Sequence, residues 1–215
     1  MKTAPHTALI VIDMQRDFLD PDGYAAAAGL DVAALRRPIP AIRNLLWGAR
    51  QAGLLVVHTR EGHRPDLSDC PPAKLERSRA AGAEIGTRGP LGRLLVRGEA
   101  GHDIVPELQP LPGEPVVDKP GYGAFTNTDL EGILRIRGIE RLIVCGVTTE
   151  VCVHSTLREA IDRGYRCVLV GDACASADAE LHAAALRMVG VEGGIFGQVL
   201  DTEAALALIE TAAAP

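Results

Sequence analysis

Aromatic residues make up only 3% of this 215-residue chain, which leaves little material for base-stacking surfaces. An excess of positive charge is missing too: 22 Lys and Arg stand against 28 Asp and Glu, a net charge of −6. Electrostatics therefore favour neither a nucleic-acid partner nor an anionic membrane. No apolar run approaches the roughly 20 residues that a bilayer span needs. The residues before Leu9 are too few and too polar for a signal peptide. The five cysteines, Cys70, Cys145, Cys152, Cys167 and Cys174, include no C-x-x-C pair, which argues against a zinc ribbon. Their odd number, in a chain expected to be intracellular, argues against a disulfide framework. Together these absences predict a cytoplasmic protein with no nucleic-acid or membrane partner. The length suits a single domain over residues 1–215 with a sizeable core.

What is present is an alternation of short apolar runs with helical periodicity. Ala8–Ile12, Leu54–His58, Pro115–Asp118, Leu142–Cys145 and Cys167–Val170 read as buried strands, with a last strand near Gly194–Phe196. Helical spacing fills Val32–Gln51, with a start or break at Pro38 and Pro40, and recurs from Leu130, over Val151–Arg163, Ala179–Val189 and Thr202–Thr211. The pattern predicts one three-layer α/β/α domain with a mostly parallel, Rossmann-like sheet of about six strands. The stretch from Arg60 to Pro115 is rich in Gly, Pro and Arg and reads as a long irregular loop, either a lid or an interface element.

Ligands of such sheets bind beyond the carboxyl ends of the strands. Asp13 ends the first strand, Lys119 ends the third, and Cys152 lies just past the fourth, where a helix begins. A helix N-terminus favours a thiolate, and the thiolate is the nucleophile. Lys119 would lower the thiol pKa further by charge attraction. Asp13 could accept the thiol proton, and the N–H groups of Thr148 and Cys152 are placed to receive an oxyanion. Singly, each of the three has a structural alternative: a core thiol, a turn cap, a surface charge. Their convergence on one edge points to amide hydrolysis through a thioester.

Three stretches carry a resemblance. Val11-Ile12-Asp13-Met14-Gln15-Arg16-Asp17-Phe18, Lys119-Pro120-Gly121-Tyr122-Gly123-Ala124-Phe125 and the run Gly146 to Cys152 resemble, in order and spacing, the isochorismatase-like cysteine hydrolases. That resemblance implies an Asp–Lys–Cys triad at Asp13, Lys119 and Cys152. It also implies a cis peptide after Val147 that turns the Thr148 N–H toward the oxyanion. Thr59 to Leu67, Arg97-Gly98-Glu99 and Gly193 to Gly197 resemble the biuret-hydrolase branch, which implies a biuret- or triuret-type substrate, release of ammonia and no cofactor. Nicotinamidases of this family carry an Asp-x-His metal site after the second strand; Arg60-Glu61-Gly62-His63 has no second histidine, so no metal is expected. Where the branch has Gln, this chain has Glu192, an acceptor-only group if it faces the pocket, which would favour extra N–H donors or a cation, as in triuret or guanylurea. Phe18, Arg60, Glu61, His63, Phe125 and Val147 are the other candidate substrate contacts. Guanylurea, an N-carbamoyl amino acid, oxamate or another small amide are alternative substrates. An inactive binding or scaffold relative is the alternative of another class. The family often forms dimers or tetramers, so a homo-oligomer is expected.

Overall fold

The computed structural model describes residues 6–213. The first half runs β1 (Thr7–Ile12), α1 (Arg16–Leu19), α2 (Tyr24–Ala27), α3 (Val32–Arg36), α4 (Ile39–Gln51), β2 (Leu55–Glu61), α5 (Pro72–Ala80), a hairpin β3 (Arg88–Gly89) and β4 (Gly92–Arg93), and β5 (Val116–Lys119). Then come α6 (Leu130–Ile136), β6 (Arg141–Val147), α7 (His154–Asp162), β7 (Arg166–Ala175), α8 (Ala179–Val189), the single turn α9 (Val191–Gly194), β8 (Gln198–Leu200) and α10 (Thr202–Ala213).

Six strands form one sheet in the order β5-β2-β1-β6-β7-β8, and every pairing in it is parallel. Helices cover both faces, giving the three-layer α/β/α architecture. All six residues of β1 are buried, which explains its unbroken apolar run: a central parallel strand has no solvent face. In α4, Ile39, Ile42, Leu45, Leu46 and Ala49 form the buried stripe that packs on the sheet. Pro38 separates α3 from α4, so the Val32–Gln51 periodicity is two helices rather than one. Among the described residues no helix is long and apolar enough to cross a membrane.

Two stretches depart from the sequence expectation. The last strand begins at Gln198, not Gly194, because Gly193, Gly194 and Gly197 have φ of 77°, 95° and 128° and cannot extend a strand. The region between β2 and β5 is not irregular throughout. It contains α5, which starts at Pro72 in the helix position that tolerates a missing N–H. Its buried residues are Lys74 and Ser78, so no apolar stripe announces it.

The carboxyl ends of β1 and β6 are drawn together at Gly146. Its φ is 122°, and a Cβ there would sit 2.1 Å from the Ile12 carbonyl oxygen. A β-bulge between Val144 and Gly146 shifts the register with β7 at the same point. Gly146→Ala is therefore expected to cost about 3 kcal/mol or more of stability, read as a lowered urea midpoint; an unchanged midpoint would show that this contact does not constrain the fold.

Candidate active site

Four strand ends converge on one buried cluster. Asp13 follows β1 with φ of 50°, a conformation that aspartate tolerates better than most residues. Its N–H donates to the Thr59 carbonyl and to Thr59 Oγ1, both at 3.2 Å, and the Thr59 hydroxyl donates to Asp13 Oδ1 at 2.6 Å. Lys119 closes β5 and pairs in register with Glu61 at the end of β2. Its Nζ lies 2.7 Å from Asp13 Oδ2 and 3.5 Å from Glu61 Oε2, with no exposed side-chain surface on Lys119 or Asp13. The ammonium also donates to the Gly121 carbonyl at 3.0 Å.

Cys152 enters from β6. The peptide between Val147 and Thr148 is cis, and Thr149–Val153 form a π-turn that runs into α7. The Cys152 thiol donates to Glu61 Oε2 at 3.2 Å. Glu61 Oε1 lies 2.6 Å from Lys74 Nζ, which also donates to the Pro120 carbonyl at 2.8 Å. Gln15 fixes the Glu61 backbone on both sides: its Oε1 accepts from Glu61 N at 2.6 Å and its Nε2 donates to Glu61 O at 2.9 Å.

Burial and pairing push these groups apart. Burial raises the Asp13 carboxyl above its usual range, more than Lys119 pulls it down. Burial acts on Glu61 in the same sense, but Lys119 and Lys74 outweigh it and hold Glu61 low. Burial alone would lower Lys119; Asp13, Cys152 and Glu61 reverse that, so it stays an ammonium. For Cys152, burial dominates and pushes the thiol well up, Lys119 pulls it down, and Asp13 and Glu61 push it up again. The expectation of a depressed thiol pKa is thus reversed: the resting sulfur is protonated, because two carboxylates and an apolar shell outweigh one ammonium.

The cluster opens on a cavity of about 340 Å³, lined on the inner side by Glu61, Lys74, Thr148 and Cys152. Phe18, Tyr24 and Tyr122 form aromatic walls, while Arg77 and Glu150 add a charge of each sign. Of the candidate substrate contacts, Phe18 and Glu61 line it. The others do not. Arg60 is held by Asp118 through two hydrogen bonds, at 2.8 and 3.2 Å. His63 is buried, with Nδ1 3.2 Å from Asp69 Oδ1. Phe125 packs on Tyr165 with ring centroids 5.7 Å apart, beneath the Arg163 guanidinium. Val147 lies in the core. Glu192 occupies an exposed turn with φ of 51°, away from the cavity wall.

Sequence reasoning missed Lys74, Arg77, Tyr24, Tyr122 and Glu150. The run Pro71-Pro72-Ala73-Lys74-Leu75-Glu76-Arg77 carries a helix-start signal that could have placed two of them on one helix. Donor atoms of Asp13, Glu61 and Cys152 lie within 4.8 Å of one another, the only such trio among the described residues. Both carboxylates already rest on lysine ammonium groups, so the positive charge a metal would bring is present, and the set does not fit an ion.

A thiol, a carboxylate and an ammonium buried together at the carboxyl edge of a parallel sheet define a class: hydrolases that work through a cysteine nucleophile. The chain belongs to the isochorismatase family; the model of the Isochorismatase domain matches residues 7–204. It is 35% identical over 207 residues to the ureidoacrylate amidohydrolase RutB of Azorhizobium caulinodans, covering 94% of this chain and 91% of that protein. The crystal structure of a cysteine hydrolase from Pseudomonas syringae pv. phaseolicola superposes with a TM-score of 0.82 at 30% identity, over 96% of this chain and 93% of that one. N-carbamoylsarcosine amidase from Thermoplasma acidophilum superposes with a TM-score of 0.69 at 25% identity, over 92% and 96%.

Lys119→Met would leave two buried carboxylates with Lys74 as their only cation. A loss of about 3–5 kcal/mol at neutral pH is expected in chemical denaturation. Part of it should return on acidification, as the unpaired carboxyl takes up a proton; a loss independent of pH would contradict the ion-pair account.

Proposed function

We propose that this protein hydrolyses a small ureido compound, of biuret or triuret type, with release of ammonia. The observation that carries the reading is the buried set of Asp13, Lys119 and Cys152 on a cavity sized for a small molecule. Cys152 Sγ attacks the terminal carbamoyl carbon while its proton passes to Asp13. The oxyanion forms against the N–H groups of Thr148 and Cys152. Collapse breaks the C–N bond, Asp13 protonates the leaving amine, and ammonia departs from a thioester. Asp13 then takes a proton from water as it attacks, the thiol is restored, and the product is a carboxylated urea. Lys119 balances charge on Asp13 throughout.

The cavity's charge supports a neutral, donor-rich substrate. Of the residues that line it, Glu61 and Glu150 stand against Lys74 and Arg77, two carboxylates to two cations, so the wall carries no net charge, and the buried Asp13–Lys119 pair adds none. Glu150 Oε2 is buried without a hydrogen-bond partner among the described residues. A carboxylate only accepts, so it asks for N–H donors, which biuret and triuret supply. The acceptor role expected of Glu192 falls to Glu150.

One observation favours a second reading, an N-carbamoyl amino acid. Arg77 lines the cavity, donates to the Tyr122 hydroxyl at 2.9 Å, and has no carboxylate partner among the described residues. It could receive a substrate carboxylate. The names of the two relatives above, a ureidoacrylate amidohydrolase and an N-carbamoylsarcosine amidase, point the same way.

Cys152→Ala should abolish ammonia release while leaving the melting temperature near that of the wild type; residual turnover near the wild-type rate would remove Cys152 from the mechanism. Ammonia release over biuret, triuret, guanylurea, oxamate and N-carbamoyl amino acids tests the substrate. Glu150→Gln should lower kcat/KM about tenfold for biuret or triuret, and Arg77→Met about tenfold for a carbamoyl amino acid only. Equal rates on all five would discard the ureido preference.

A further inference from the structure

Two carboxylates, not one, face the nucleophile, and the one that receives the thiol's hydrogen bond is Glu61, at 3.2 Å. Hydrogen-bond geometry alone would name Glu61 as the base. We propose instead that Glu61 is a fixed anion, clamped in its ionised state by Lys74, which orients the thiol and leaves Asp13 as the sole acceptor of its proton.

The argument is one of charge and placement. Glu61 is 3% exposed and touches two ammonium groups, Lys74 at 2.6 Å and Lys119 at 3.5 Å. Asp13, with no exposed surface, has only Lys119, at 2.7 Å. At rest the cluster holds two carboxylates, two ammonium groups and a thiol, and is neutral. When the sulfur loses its proton a third negative charge appears, and one carboxyl must take the proton for the cluster to stay neutral. The proton goes where ionisation is least supported. Asp13 has one cation against the two on Glu61, and the opposite shifts of the two carboxyls agree with that ordering. Sulfur loses the proton as it bonds to carbon; Asp13 gains it and later passes it to the leaving nitrogen.

Lys74 is placed for this one task. It comes from α5 and is 6% exposed. Its ammonium is fixed by the Pro120 carbonyl at 2.8 Å and lies 4.8 Å from the Tyr122 ring centroid. The groups that face Glu61 are Asp13, Lys119, Lys74 and Cys152 in the cluster, with the Tyr24 hydroxyl, His63 and the Cys70 thiol in electrostatic reach. Only the two lysines among them carry positive charge at neutral pH. Glu61 is on this account a positioning residue and Lys74 the group that sets its charge; the proposal rests on Cys152 being the nucleophile of the reading above.

Alkylation of Cys152 by iodoacetamide, followed by mass spectrometry of its peptide across pH, tests this without any substrate. In Glu61→Gln the cluster carries one more positive charge, so the thiolate forms more easily. The Cys152 alkylation rate on the rising limb should increase about tenfold. An unchanged or lower rate in a folded variant, judged by its melting curve, overturns the proposal and makes Glu61 the base. Lys74→Met leaves two carboxylates with one ammonium, so one of them holds a proton at rest. The acid limb of its kcat/KM profile should move up by about one pH unit, with Lys74→Arg restoring it; an unmoved limb overturns the clamp. Loss of the ureido preference in the substrate panel would leave the alkylation result standing, so the two failures are distinguishable.

Discussion

Lys119 carries its ammonium fully out of water and finds two carboxylates there, Asp13 from the end of β1 and Glu61 from the end of β2. Desolvating a single charge costs several kcal/mol, so each member is tenable only because the others are in place. The contact joins β1, β2 and β5 at their carboxyl ends, beside the Cys152 thiol that follows β6. Thr59, Gln15 and the Gly121 carbonyl take up the remaining hydrogen-bonding positions. The site is thus a structural knot of the sheet as much as a candidate reaction centre.

That arrangement also explains why a thiol at a helix start is not a thiolate at rest. Burial and the two carboxylates outweigh Lys119 and push the thiol up. A raised thiol pKa also limits stray chemistry at Cys152.

The cavity depends on a helix that hydrophobic patterning does not reveal. α5 puts Lys74 and Ser78 inward, and Lys74 is buried because Glu61 waits for it. Read as a pattern, a lysine in a polar segment belongs on the surface; read in the fold, it is part of the cavity wall. The same helix brings Arg77 to the mouth beside Tyr122. The long connection between β2 and β5 therefore supplies part of the pocket wall. Arg60, on β2, and His63, just after it, the most suggestive residues there in sequence, are spent on Asp118 and Asp69.

The sequence alone determined the sheet, its parallel sense and the edge where the candidate site lies, because fully buried strands write themselves as unbroken apolar runs and Asp13, Lys119 and Cys152 each end or follow one. The three matching motifs extended this to the family and to the cis bond after Val147. Tertiary structure decided everything that depends on distances between charges. It moved Glu61 from a candidate contact to the hydrogen-bond partner of the Cys152 thiol, brought in Lys74, put Glu150 rather than Glu192 on the cavity wall, and reversed the sign of the thiol's shift. Apolar burial is a property of each residue summed along a strand, and a sequence displays it. Electrostatic coupling is set by the distance between charges and joins residues more than a hundred positions apart, so only the folded chain discloses it.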